Sequence, residues 1–529
     1  MMLLENKVSF EILFEDGYRL GAVMLGGRTV KTPSLIENVQ DYLILGDIKI
    51  EKPISYLVED NYKREKFDLS IIPLIEIPFD LPLKEAKKLS NLNISLMQEG
   101  KGECLPIYIT KYKEYNQELL ESIPEKDIYF FKRIPDERIL LDFYFKLKER
   151  YPSSLYFINA DSYELPIFCF LGFDLFLDNK ENRRFLNEYL SNPVPELVEM
   201  YSNGSVNSRK LLRILYKEFY DLFECHLRRD FKRAYYIDDI SLHRPQVVRW
   251  RKEVNDYYSP SNNLILLLPC SAKKPYRLSK SHIKIISFLR DFLKDKYPNL
   301  TQLILTSPLG VVPREIEDYA DYDIPVTGYW SQEELDSLSD LLILLLKKCD
   351  SPRIIAHFSE DSPYLEALKK LPFEILYTNG SIEILKEHLE NNRGLWDKDP
   401  LNEFKTKAQK MFSFQFKKEF KLPFDYRERR KTTDLLYNKR TIGIFQNKIK
   451  TNVIGGEIIK DSLWVNIDFD LRGDIFSKGI ISTSDSIRPG DDVLVLKDNK
   501  CIGVGEAIVS GSIMKKLNRG KVVKIRSRG

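Results

Sequence analysis

Five consecutive apolar residues, Leu264-Ile-Leu-Leu-Leu268, run straight into Pro269-Cys-Ser-Ala-Lys-Lys-Pro-Tyr-Arg-Leu-Ser-Lys-Ser-His282. A run this short and uniformly apolar reads as a strand buried on both faces, the setting of a parallel sheet. Pro269 ends it, and the next apolar residues, Ile285, Ile286, Leu289, Phe292 and Leu293, recur at helical spacing until Pro298. Strand, polar loop and helix in that order form the unit of an open α/β sheet. Ligands of such sheets sit beyond the carboxyl ends of strands, beside the amino ends of the following helices. This loop occupies that place and carries a cysteine, three lysines, an arginine, a tyrosine, three serines and a histidine.

The same rhythm recurs downstream. Leu303-Ile-Leu-Thr306 stops at Ser307-Pro-Leu-Gly310, Arg353-Ile-Ile-Ala-His-Phe358 stops at Ser359, and Phe373-Glu-Ile-Leu-Tyr377 stops at Thr378-Asn-Gly, with helical patterns over 333–348 and 364–371 between them. Residues 241–395 are therefore expected to form a mainly parallel, three-layer α/β core with its polar strand tips on one edge. That edge would gather Cys270, Lys273, Lys274, Ser307, His357 and Ser359.

A chain of 529 residues is too long for one core, so several domains are expected and the protein reads as multidomain α/β. Net charge is only +3, from 81 basic and 78 acidic side chains, so any polyanion site must come from local patches. Six cysteines without a C-x-x-C pair argue against a disulfide framework or a cysteine-rich zinc site and for a reducing, cytoplasmic setting. The opening residues become charged too early for a signal peptide, and no apolar run is long enough to span a bilayer, so no membrane partner is expected.

On the N-terminal side, alternation in Val8-Ser-Phe-Glu-Ile-Leu-Phe14 and Arg19-Leu-Gly-Ala-Val-Met-Leu25 predicts two antiparallel strands, with turns at Asp16-Gly17 and Gly26-Gly27. Between Leu227 and Arg251 a basic, aromatic connection (Arg228, Arg229, Lys232, Arg233, Arg244, Arg249, Trp250, Arg251) could touch phosphate or form a solvated helix face. Further on, Lys417, Lys418, Arg427, Arg429, Arg430 and Lys431 interleave with aromatic residues as a candidate RNA-backbone surface. At the end of the chain, short strand patterns with Gly/Pro/Asp turns include Arg488-Pro-Gly-Asp491. Residues 515–528 then hold seven basic residues and no acidic one, among them Lys515, Lys516, Arg519, Lys521 and Lys524. Val522, Val523 and Ile525 read as a closing strand that carries this charge.

Several stretches resemble known families. Gly27-Arg-Thr-Val-Lys-Thr-Pro33 and Leu171-Gly-Phe-Asp-Leu-Phe-Leu-Asp178 resemble segments of tRNA-guanine transglycosylases, TIM-like barrels that exchange a base in tRNA. The departures are pointed. Leu177 stands where that family places its nucleophilic aspartate, and Asp178 comes one residue late, which turns a strand side chain to the opposite face. The family's D-S-G-G-F-Q segment is absent, and its C-x-C-x-x-C cluster, due near 189–197, has no cysteine here. That leaves His226 without partners for zinc. The resemblance implies a degenerate TIM-like transglycosylase domain over 1–240, with base exchange and the zinc site lost and no cofactor required.

The run from Pro269 to His282 resembles the signature of the archaeosine synthase family, archaeal relatives of the transglycosylases. His243-Arg-Pro-Gln-Val247, Leu309-Gly-Val-Val-Pro-Arg-Glu-Ile316 and Tyr322-Asp-Ile-Pro-Val-Thr-Gly-Tyr-Trp330 also resemble that family. The resemblance implies a uracil-DNA-glycosylase-like core over 241–395, a small α+β linker domain over 396–455 and a C-terminal PUA β-barrel, an RNA-binding module, over 456–529. It further implies tRNA as partner. The reaction would add an amine, L-lysine or another donor, to the nitrile of 7-cyano-7-deazaguanine at position 15 of the tRNA D-loop, forming an amidine. A radical-SAM partner enzyme would convert that adduct to archaeosine, and a homo-oligomer is left open. The alternatives are an active transglycosylase and a noncatalytic tRNA-binding subunit.

A nitrile carbon accepts a thiolate to give a thioimidate that an amine can displace. Cys270, at a strand end near a helix amino terminus and flanked by lysines, is where a depressed thiol pKa is expected. Cys270 is thus the candidate nucleophile and His282 the candidate proton shuttle. Ser271, Lys273, Lys274, Tyr276, Ser279 and Ser281 complete the catalytic loop, the lysines and Ser279 or Ser281 holding phosphate or a carboxylate. Ser307, Arg314, Glu315 and His357 are candidates for binding substrate, with Glu315, Glu317, Asp321 or Asp323 placed to receive an amino group. Arg488, Lys515, Lys516, Arg519, Lys521 and Lys524 are candidates for touching RNA.

Overall fold

Alternating burial along Ser9–Asp16 (β1) and Tyr18–Leu25 (β2) makes an antiparallel hairpin, turned at Gly17 (φ 75°), and Arg28–Thr32 (β3) extends it. The structure, a computed structural model, describes residues 9–25, 28–38, 42–51, 68–191, 195–229, 234–323 and 330–529. The Gly26-Gly27 turn, Lys232 and Arg233, part of the 189–197 segment and most of the 322–330 motif lie outside them.

The chain forms two compact units, one of Met1–Arg228, Val465–Val493 and Glu506–Ile525, the other of Arg229–Trp464, Leu494–Gly505 and Arg526–Gly529. In the first, Ser34–Asn38 (β4), Tyr42–Leu45 (β5), Ile48–Glu51 (β6), Cys104–Ile107 (β7), Ile128–Lys132 (β8), Leu155–Asn159 (β9) and Leu175–Leu177 (β10) form one sheet. Its order is β6-β5-β4-β10-β9-β8-β7, with β4 and β10 to β7 parallel and β5 and β6 antiparallel at one edge. Ile50 bridges Leu69, and Ile71 bridges Cys104, so the 69–71 segment links the two edge strands and the sheet curls. Beneath it lies an ion pair with both partners fully buried, Arg19 with Asp174. Arg19 also donates to the carbonyls of Pro152 (2.6 Å) and Ser154 (3.0 Å), and Asp174 accepts from the Tyr156 amide (3.0 Å). Burying two charges is tolerable only with partners satisfied to this degree.

The second unit contains Ala234–Tyr235 (β11), Leu264–Pro269 (β12), Thr301–Thr306 (β13), Gly310–Pro313 (β14), Tyr322–Asp323 (β15), Arg353–Ala356 (β16) and Ile375–Tyr377 (β17). Its main sheet runs β14-β13-β12-β16-β17, all parallel except β14. The central strand β12 has Leu264 to Leu268 fully buried, as its composition demands. The expected helices form as Lys280–Leu293, Gln332–Leu346 and Tyr364–Leu368. Ser279 caps the first by accepting from the His282 amide, and Ser331 with Glu334 closes a capping box on the second. Strand β14 was not foreseen: Gly310, at φ 81°, turns the chain back against β13. Because β13 and β16 flank β12 on opposite sides, the strand order reverses at β12, and the crevice of the sheet opens at its carboxyl end.

Helix Glu403–Phe416 and the antiparallel strands Asp425–Glu428 (β18), Thr433–Tyr437 (β19), Arg440–Phe445 (β20) and Ile449–Thr451 (β21) follow. Trp464–Asn466 (β22), Ile475–Phe476 (β23), Ser482–Thr483 (β24), Asp492–Lys497 (β25), Lys500–Ala507 (β26) and Lys521–Arg528 (β27) form a six-stranded sheet. Of the basic C-terminal residues, Lys521, Lys524, Arg526 and Arg528 sit on β27, where Val522 and Val523 are buried, whereas Lys515, Lys516 and Arg519 precede it outside the strand. Among the described residues no helix is long and apolar enough to cross a membrane.

Candidate active site

The strand register lines up the tips. Pro269 pairs with Leu305 and Leu267 with Ala356, so Cys270 continues the row of Thr306 and Ser359, and Leu268 that of His357. Residues two apart share a sheet face, which puts Cys270 and His357 on the same one. The Cys270 thiol is half-buried. Its sulfur accepts a hydrogen bond from the Tyr364 hydroxyl at 3.0 Å. Burial and the neighbouring sulfur hold that phenol well above its ordinary range. The ring of Tyr364 meets Trp330 edge-on at 4.8 Å and Phe358 at 5.1 Å.

On the loop itself, the Tyr276 hydroxyl is buried 2.7 Å from that of Tyr322, and Thr306 bonds to Tyr322 as well. Lys274 lies with its ammonium 4.1 Å from the centre of the Tyr322 ring. Burial lowers its pKa, an effect opposed by Cys270, Asp323 and Asp321. Cys270 is therefore surrounded by aromatic rings, phenol hydroxyls and one desolvated ammonium. Such a site can stack a flat base, donate protons to a reacting nitrogen and hold a negative charge.

His282 takes a different part from the one expected. It is fully buried, its Nε2 bonds to the Pro269 carbonyl at 2.9 Å, and its Nδ1 meets Arg314 Nη2 at 2.7 Å. Burial and the adjacent Arg314 guanidinium push its pKa down to about 4, with the Pro269 bond opposing. Both ring nitrogens are engaged and the imidazole stays neutral, so His282 fixes the loop rather than shuttling protons. Ser279 is its helix cap, with exposed Ser281 3.3 Å away, and the Ser271 hydroxyl donates to the Lys273 carbonyl at 3.1 Å. Lys273 points to solvent.

Among the candidates for binding substrate, Ser307 donates to Glu334. Arg314 is held internally by Gln302 (3.3 Å), Glu317 (3.0 Å) and His282, which turns it away from any substrate at Cys270. Glu315 accepts from the Tyr258 hydroxyl at 3.1 Å. His357 is buried, its Nδ1 lies 2.8 Å from the Thr378 hydroxyl, and burial lowers its pKa. Glu317 is buried between Arg277 and Arg314, while Asp321 and Asp323 are exposed.

The sequence reading missed Tyr364, Tyr322 and Trp330 as parts of this site. A signal was present: the loop after β12 carries Pro275-Tyr276 and the loop after β16 carries Pro363-Tyr364, so the same dipeptide follows both strands.

Of the basic candidates, Arg488 is removed from the RNA-facing set. Its guanidinium forms a bidentate pair with Glu224 (Nε 3.0 Å, Nη2 2.9 Å), and that pairing raises its pKa against the cost of burial. Lys516 pairs with Glu149 and Lys521 with Asp474, while Lys515, Arg519 and Lys524 are exposed. Arg244 and Arg249 are buried, Arg251 donates to the Pro308 carbonyl, and Arg229 pairs with Glu253, so these side chains of the 227–251 connection belong to packing. Arg427 and Arg429 both pair with buried Asp434, and Lys418 with Asp461. Beside the curled sheet, Asp178 after β10 forms an ion pair with Arg183, and His226 Nδ1 lies 2.8 Å from Glu15 of β1. Among the described residues no group of three potential ligands could hold a metal ion.

Comparison with known proteins follows this layout. Residues 247–392 match a family described as a domain of unknown function, DUF5591, and residues 466–528 match the PUA domain. The archaeosine synthase subunit alpha of Thermococcus kodakarensis is 30% identical, over 98% of this chain and all of its own. The archaeosine synthase of Methanocaldococcus jannaschii is 31% identical over 54% of this chain and 52% of its own. The archaeosine synthase subunit alpha of Thermoplasma acidophilum is 26% identical over 80% and 92%. With a relative this similar over its full length, the chain belongs to the archaeosine synthase alpha-subunit family.

Proposed function

We propose that this protein modifies tRNA in archaeosine biosynthesis, with Cys270 as nucleophile toward the nitrile of 7-cyano-7-deazaguanine already in the D-loop. The observation that carries the reading is the Tyr364 hydroxyl donating to the Cys270 sulfur at 3.0 Å, at the strand-order switch and among aromatic rings. The sulfur of the thiolate bonds to the nitrile carbon, and the nitrile nitrogen takes the Tyr364 proton, giving a thioimidate. The amine, L-lysine in this reading, bonds to the same carbon, and the carbon–sulfur bond breaks to regenerate the thiolate. The amine's proton returns to the Tyr364 oxygen, so the net change is addition of N–H across the nitrile to give an amidine. Lys274 stabilises the sulfur's negative charge, and His282 holds Pro269, the residue before the nucleophile. A radical-SAM enzyme then acts on the adduct.

In this reading the curled N-terminal sheet is a reduced transglycosylase barrel kept for holding tRNA. The 241–395 core is uracil-DNA-glycosylase-like, residues 396–455 link it onward, and the PUA module with Lys515, Lys516, Arg519, Lys521 and Lys524 contacts the RNA backbone. Nitrile-bearing tRNA incubated with the protein and single amino acids, then digested to nucleosides, tests the reading by mass spectrometry. A mass gain equal to lysine is expected, and an unchanged nitrile nucleoside with every amino acid would refute it.

A further inference from the structure

The first unit holds a thiol beside a buried, charged pair. Glu15 of β1 is fully buried, and its Oε1 lies 2.8 Å from His226 Nδ1. Its Oε2 accepts from the Ser510 amide at 3.1 Å, so the carboxylate is held at both oxygens. His226 is buried as well, and its carbonyl accepts from the Gly17 amide at 2.8 Å, which fixes the backbone there. Half-buried Cys225, the preceding residue, is hydrogen-bonded to the same imidazole. Carboxylate, imidazole and thiol thus stand in the order that activates a sulfur nucleophile. Among the described residues no such group could hold a metal ion, so metal binding does not account for the cluster. Burial disfavours a thiolate at Cys225, as does the Leu222 carbonyl, which accepts from the thiol at 3.5 Å. The charge and hydrogen bond of His226, and then the Arg488 guanidinium paired with Glu224, outweigh burial and lower the Cys225 pKa, with Glu15 opposing. Burial likewise opposes a charge on His226, but Cys225 and Glu15 raise its pKa to about 9 against buried Lys148. Each partner therefore favours the charged form of the other.

We propose that Cys225, activated by the Glu15–His226 pair, is a modification site, a reactive thiolate that hydroperoxides oxidise and soft electrophiles alkylate. With hydrogen peroxide, the sulfur bonds to one oxygen and the O–O bond breaks. The sulfur is oxidised by two electrons to a sulfenic acid, and the peroxide is reduced by the same two. The departing hydroxide takes the His226 proton and leaves as water, so the imidazole ends neutral. Glu15 then loses the positive charge 2.8 Å away and keeps the Ser510 amide and the buried Lys148 ammonium as its stabilising neighbours. This inference does not depend on the chemistry proposed at Cys270.

Peptide-resolved labelling of the full chain tests it in wild type, Cys270→Ser and His226→Asn, with iodoacetamide and with hydrogen peroxide followed by dimedone. Cys349 serves as the internal reference, because it is also half-buried and burial raises its pKa. In wild type and Cys270→Ser, Cys225 is expected to alkylate at least about tenfold faster than Cys349 at pH 7. From pH 8 to pH 7 its rate is expected to fall less than about fourfold, against about eightfold for an ordinary thiol with a pKa of about 8.5. Peroxide is expected to leave a dimedone-trapped adduct on the Cys225 peptide. Folded His226→Asn is expected to lose at least about fivefold in alkylation rate at pH 7 and to show the ordinary pH dependence. An ordinary pH dependence in wild type, alkylation of Cys225 no faster than of Cys349, or the absence of a dimedone adduct overturns the proposal. So does folded His226→Asn that labels as wild type does. The wild-type profile decides the matter even where His226→Asn does not fold.

Discussion

The Tyr364 hydroxyl lies 3.0 Å from the Cys270 sulfur, bringing a proton donor from the β16 side of the sheet onto a thiol at the tip of β12. Two strands adjacent in space but separated by nearly a hundred residues thereby meet at one thiol. Removing the hydroxyl alone tests the pairing. Tyr364→Phe keeps the ring against Trp330 and Phe358, so folding is retained. Amidine formation falls about 10²-fold, the usual contribution of a positioned proton donor. Rates measured under single turnover check this, and a wild-type rate would remove Tyr364 from the chemistry.

His282 predicts a pH dependence of stability. Its folded pKa of about 4 lies below the ordinary value of 6.5, so the unfolded chain binds more protons between those values. Its contribution is complete above pH 6.5 and is lost as pH falls toward 4, amounting to roughly 3 kcal/mol. Melting of wild type and His282→Asn between pH 7 and 4.5 checks it. The variant is less stable at pH 7 and its melting temperature declines less steeply on acidification.

The Arg488–Glu224 pair predicts a separation between stability and RNA binding in the PUA region. Arg488→Ala leaves Glu224 without its bidentate partner and destabilises the protein by about 2 kcal/mol. The salt dependence of tRNA binding stays as in wild type. Lys515→Ala or Arg519→Ala shows the reverse: unchanged melting, weaker tRNA binding and a salt slope shallower by about one. Filter-binding titrations at several salt concentrations distinguish the two classes.

Base exchange is not expected. Leu177 stands at the end of β10, and Asp178, the adjacent carboxylate, forms an ion pair with Arg183. Labelled guanine incubated with protein and tRNA therefore stays free, and incorporation above background would restore the transglycosylase reading.

Much of the second unit was legible from the sequence because its signals are local. Fully apolar five-residue runs such as Leu264 to Leu268 have few alternatives to a central parallel strand, and the helices between them carry their caps beside them, Ser279 and Ser331. Side-chain duties were less legible. Whether a histidine titrates depends on what burial brings to both ring nitrogens, and for His282 those partners are thirteen and thirty-two residues away. Arg488 looked like a turn cation on a basic module, but Glu224, which neutralises it, is 264 residues distant. The antiparallel β14 escaped notice because Leu309-Gly-Val-Val-Pro313 is too short to show alternation, and only the positive φ of Gly310 creates the turn.

The central claim, that Cys270 bonds to the nitrile carbon, is tested most directly by trapping. Wild-type protein is mixed with nitrile-bearing tRNA without amine, quenched, digested with nuclease and protease, and its peptides are weighed. The account predicts a nucleotide-derived mass on the peptide containing Cys270, absent in Cys270→Ser, together with a loss of amidine formation in that variant on the order of 10³-fold or more. An unmodified Cys270 peptide with near-wild-type activity in folded Cys270→Ser would contradict it.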